Sequence, residues 1–92
     1  MKTIWKFVLP VDDVVEFDMP ARSFPLKVSA ETGEACLWAV VDTEATKENR
    51  RFYVVGTGHP MPGGTLSYVG TFFVPTTGIV LVFHVFDGGV AR

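Results

Sequence analysis

Seven apolar segments with strand-like alternation, each cut off by Gly, Pro or Asp, fill nearly all of this 92-residue chain. Successive side chains of a strand point to opposite faces, so Phe24, Leu26, Val28 and Ala30 are expected on one face, with Pro25, Lys27, Ser29 and Glu31 on the other. Short strands spaced this regularly, with turn residues between them, predict a single all-β domain over residues 1–92. The expected architecture is an antiparallel sandwich or barrel of about seven strands with at most one short helix.

The predicted strands follow the punctuation. Thr3–Leu9 places Trp5, Phe7 and Leu9 on one face, and Pro10 with Asp12-Asp13 turns the chain into a short strand, Val14–Asp18. Met19-Pro20-Ala21-Arg22 breaks that strand before Phe24–Glu31, where Pro25 argues for a sheet edge. Glu31-Thr32-Gly33-Glu34 predicts a hairpin turn with Gly33 at positive φ, leading into Ala35–Val41, apolar on both faces. Asp42–Asn49 is the one segment with a helical reading, with Thr43 as cap, Glu44 near the positive end and Lys47 further along. Arg50–Thr57 sets Phe52, Val54 and Gly56 opposite Tyr53, Val55 and Thr57. After the loop Gly58–Gly64, Leu66, Tyr68, Gly70 and Phe72 alternate with Ser67, Val69, Thr71 and Phe73, and Ile79–Phe86 closes the fold.

Apolar residues make up 48% of a chain too small to bury most of them, which predicts apolar surface meeting a partner, in the first instance a homo-oligomer. A net charge of -2 argues against binding a nucleic-acid polymer by protein-wide attraction. The single cysteine, Cys36, lies in an apolar run and is read as a buried, reduced thiol, favouring an intracellular protein. No secretory signal is read at the start of the chain, and the longest apolar run, Ile79–Phe86, is too short for a transmembrane segment.

Few residues carry candidate chemistry. His59 sits in the loop Gly56-Thr57-Gly58-His59-Pro60-Met61-Pro62-Gly63-Gly64, where backbone amides and a mobile side chain suit a ligand. His84 shares a predicted face with Val80, Val82 and Phe86 and is read as a hydrogen-bonded core or interface histidine. Lys47, Arg50 and Arg51 cluster before the strand that leads to His59, and guanidinium groups suit phosphate. The expected ligand-binding set is His59, Arg50, Arg51, Gly56, Thr57, Gly58 and Tyr53, the last as a stacking surface. His59, His84 and Cys36 are too dispersed for metal-ligand spacing, and no nucleophile constellation stands out, so neither a metal, a cofactor nor a catalytic residue is expected. Asp12, Asp13, Glu16 and Asp18 are read as solvated turn and strand-face residues.

The blocks Ile4-Trp5-Lys6-Phe7, Cys36-Leu37-Trp38-Ala39 with Val41-Asp42, Val55-Gly56-Thr57-Gly58-His59-Pro60, Tyr68-Val69-Gly70-Thr71-Phe72 and Leu81-Val82-Phe83-His84-Val85-Phe86 resemble a family of uncharacterised small bacteriophage proteins, over nearly the whole chain. The stretch between Met19 and Glu34 carries no matching block. The resemblance implies action in the cytoplasm of the host cell and leaves the mechanism open.

Three function classes follow as expectations. The first is a non-enzymatic, oligomeric binding module that captures a small host molecule, such as an anionic defence-signalling nucleotide, at a subunit boundary. The second is a protein-interaction module for a host or virion protein. The third is an enzyme built around His59 or His84.

Overall fold

A computed structural model describes residues 1–31 and 33–91, with Glu31 described by its backbone only. The strands are β1 (Lys2–Leu9), β2 (Val14–Pro20), β3 (Phe24–Glu31), β4 (Glu34–Asp42), β5 (Lys47–Gly56), β6 (Ser67–Pro75) and β7 (Val80–Val90). They form two antiparallel sheets, β1-β4-β3 and β2-β5-β7-β6, packed as an open sandwich, which decides between the sandwich and barrel expectations. Gly33 takes the positive φ expected of it, and Thr32 of that turn lies outside the described residues.

No helix occurs among the described residues, so the expected turn or two of helix over Asp42–Asn49 is corrected. The Asp42 carboxylate accepts the Glu44 backbone N–H at 3.1 Å, a contact that holds the carboxyl below its usual range, and Ala45 N–H donates to Asp42 O. Glu48 and Asn49 then pair with Met19 and Asp18 of β2. A helix so short is marginal by itself, and the ladder to β2 overrides it. The same ladder extends β2 through Pro20, past the predicted end at Asp18.

Period two places the core. Leu37, Ala39 and Val41 from β4 meet Phe52 and Val54 from β5, Phe72 from β6 and Val85 from β7, with Val15 and Met19 from β2. Trp5, Phe7 and Phe17 extend this core toward β1 and β2 as a chain of tilted rings reaching Phe52.

Two bulges overturn the predicted phase. An irregularity between Pro25 and Lys27 leaves Phe24 and Leu26 exposed, while Val28 and Ala30 face inward, so the four do not share a face. A second, between Tyr68 and Gly70, puts Tyr68 on the outer face with Thr71, whose hydroxyl it meets, while Gly70 and Phe72 stay inward. The sheets come together at the β3 and β6 edges, where a Cβ on Gly70 would stand 2.9 Å from Val28 Cγ2 and 3.3 Å from Val28 N.

That contact predicts the effect of a side chain at the join. Gly70→Val is expected to lower unfolding stability by about 1–3 kcal/mol through overpacking, whereas Gly63→Val, with nothing within 4 Å of its Cβ, should change it little. Urea unfolding of the two variants compares them, and equal midpoints would show that the join is loose.

Candidate functional site

The loop after β5 is long because of topology. Gly56 lies level with Phe83 of β7 and so with Phe72 of β6, whereas Ser67 lies level with Asp87 and Phe52. β5 and β6 are therefore parallel, flanking β7, and the connection must retrace roughly 15 Å of strand before β6 begins. It does so against the outer face of the larger sheet, where Val55 is buried although it faces away from the core.

The return creates a groove of about 330 Å³ lined by Asp13, Val14, Tyr53, Val54, Val55 and residues 59–62. His59 N–H donates to Gly56 O at 3.0 Å, Gly58 takes a left-handed φ of 90°, and the imidazole lies over Gly56, where a Cβ would come within 2.9 Å of Nδ1. Tyr53 lies across Gly88, at which a Cβ would approach its ring to 2.7 Å. The wall is mainly apolar, and its ionisable side chains are Asp13, Tyr53 and exposed His59.

The expected ligand set is thus brought together in part. His59 and Tyr53 share the groove, with Gly56 and Gly58 shaping the turn beneath it. Thr57 turns toward β7, its hydroxyl 2.8 Å from His84 Nε2. Arg50 faces the interior, 12% exposed, in a two-pronged ion pair with Asp87 at 2.6 and 3.2 Å, and its Nη1 donates to Ser23 O at 3.0 Å. Arg51 lies on the opposite face, paired with Glu16 at 2.8 Å, and that carboxylate followed by Tyr53 holds its guanidinium above the ordinary range. The two arginines therefore form no common anion site with His59.

Asp13, Val14 and Met61 were not expected in the groove. Period two gives no sign that Asp13 stands beside β5, where its carbonyl accepts the Val54 N–H at 3.0 Å. His84 lies on the outer face of its sheet, its ring nitrogens bonded to Thr57 and to Thr71, the latter at 3.0 Å. Cys36 is free and buried. Among the described residues no three His, Cys, Asp or Glu side chains gather as a metal-holding group, and no helix is long and apolar enough to cross a membrane.

The chain belongs to a family described as Domain of unknown function (DUF7352), whose model matches residues 1–91. No curated protein and no solved structure matches it.

The buried ion pair carries a stability prediction. Arg50→Met leaves the Asp87 carboxylate and Ser23 O facing the interior without their cation, and is expected to cost about 3–5 kcal/mol. Replacing both partners by apolar residues should recover much of that loss in denaturant titrations. A cost for Arg50→Met under about 1 kcal/mol would mean that water reaches the pair.

Proposed function

We propose that this DUF7352 member is a non-enzymatic protein-interaction module, working as a homo-oligomer, that docks on another protein through the tip of its β6–β7 hairpin. One observation carries the reading. Beyond Thr57, whose N–H donates to Val82 O at 3.1 Å, β7 keeps only β6 as a neighbour, and Phe73, Ile79, Val80 and Leu81 are between 38% and 61% exposed, with Phe73 and Val80 on the outer face and Leu81 on the other. Residues 52–86 contain no Asp, Glu, Lys or Arg, so the ribbon carries no charged side chain of its own. A two-stranded ribbon is marginal in water, and a contiguous exposed apolar patch marks a docking surface. In the bacteriophage setting implied by the sequence resemblance, the partner is a host or virion protein met in the host cytoplasm.

A second reading rests on the groove, because His59 and Tyr53 both line it. Its volume suits a small ligand. Asp13 on the wall, and the pairing of Arg50 and Arg51 elsewhere, favour a neutral or cationic ligand with an apolar body. An anionic nucleotide would draw only on His59 and the loop amides there.

Pull-downs from bacterial lysate with the wild type, Phe73→Glu and His59→Ala test both readings, each variant first checked for an unchanged thermal midpoint. A protein partner lost with Phe73→Glu and kept with His59→Ala is the expected result. Equal recovery with Phe73→Glu overturns hairpin docking. A small-molecule adduct in native mass spectra, lost with His59→Ala, would transfer the function to the groove.

A further inference from the structure

Edge strands offer unpaired backbone groups, and this sandwich treats its four edges in two ways. β3 carries Pro25 and a bulge, β6 carries a bulge, and these two edges pack together at Gly70 and Val28. β1 and β2 form the opposite side, with Phe7 and Phe17 ring centroids 5.2 Å apart. Each pairs with its single neighbour without a register shift, and neither has an interior proline or, among the described residues, a strand on its far side. Trp5, Phe7 and Phe17 beneath these edges are only half-buried.

The two open edges also carry opposite charge. The outward residues of β1 include Lys2 and Lys6 and no acid, whereas those of β2 include Glu16 and Asp18 and no base. Lys6 lies over the Trp38 ring, Glu16 meets Arg51 of its own chain, and Asp18 has no ion-pair partner among the described residues.

We propose that this open side is an interface with a second copy of the chain, in which β1 of each copy pairs antiparallel with β2 of the other about a two-fold axis running along the strands. That axis brings the sheet of β1 into line with the partner's sheet of β2, so both edges are capped in one closed contact. The short connection between Leu9 and Val14 reverses the chain, which makes the new ladders antiparallel. Outward residues stay on outer faces. A two-fold along the strands leaves every residue at its own height, so the level of Phe7 with Phe17 within one copy sets Lys6 opposite Asp18 of the second copy and brings Trp5 and Phe7 beside its Phe17. A like-with-like axis, β1 to β1 and β2 to β2, would instead set lysines near lysines and acids near acids.

This interface rests on the self-association proposed above, and a charge exchange separates the two claims. Sedimentation of the full chain should show a concentration-dependent dimer. Lys6→Glu alone and Asp18→Lys alone should each weaken it roughly tenfold, since each places two repulsive pairs across the contact. Their equimolar mixture should return to near wild-type affinity, because both cross-strand pairs become attractive again. Amide exchange of the wild type should slow with concentration in both Lys2–Leu9 and Val14–Pro20. A wild type that stays monomeric overturns self-association and this interface together. A dimer whose mixed variants bind no better than either alone, or whose exchange slows outside these strands, overturns only the interface.

Discussion

The ion pair between Arg50 and Asp87 fixes more of this molecule than any other polar contact. The guanidinium fork joins β5 to β7 and, through Ser23 O, holds the turn where the chain passes from the larger sheet to the smaller. Taking two charges out of water is costly, and only the bidentate geometry with its added carbonyl offsets that cost. Asp87 also accepts the Gly89 N–H at 2.8 Å, which settles Gly89 at a φ of 84° and shapes the register shift opposite Arg51 and Phe52. Gly88, inside that shift, is the bare backbone on which Tyr53 lies. One wall of the groove thus depends on a charge pair on the other side of the sheet.

Much of this fold was legible because period two is a local property. Trp5, Phe7 and Leu9 on one face, Phe52 and Val54 opposite Tyr53 and Val55, and Gly33 at its turn all follow from neighbours in sequence. The bulges at Leu26 and Val69 were not legible, since each is decided by the register a strand keeps with its partner. Arg50 and Arg51 are instructive in another way. Alternation alone puts Arg50 on the face of Phe52 and Arg51 on the face of Tyr53, so adjacency in sequence separates them in space. Their partners, Asp87 and Glu16, lie 37 and 35 residues away, and nothing local identifies them.

The loop around His59 shows how one composition serves two causes. Glycine and proline there suit a ligand cradle, but the parallel arrangement of β5 and β6 requires a long return in any case, and this one takes left-handed turns at Gly58 and Gly64. The groove follows from that return, since the chain cannot travel back along the sheet without standing over Tyr53 and Val55. Its chemistry is set by what the ladder puts beside it, which is Asp13 and Val14 from the start of β2.

The apolar excess likewise has an architectural origin. With Cα extents of 45 × 30 × 16 Å the sandwich has one interior layer, so a strand that is apolar on both faces must leave one of them outside. β4 does this with Trp38 and Val40, and Lys6 and Lys27 stand in register on either side of Trp38, where their long stems can cover the ring. The β6–β7 ribbon has no such cover, because Phe73 pairs with Val82 and Pro75 with Val80, and no charged residue is in register with them. The outer face of the smaller sheet is therefore mixed, with lysine stems around Trp38 and exposed Ile4 and Phe24 in register with Val40, whereas the ribbon carries no charged side chain of its own. Apolar side chains left outside in this way lower their free energy by meeting another apolar surface, and on the ribbon no lysine stem competes for that contact.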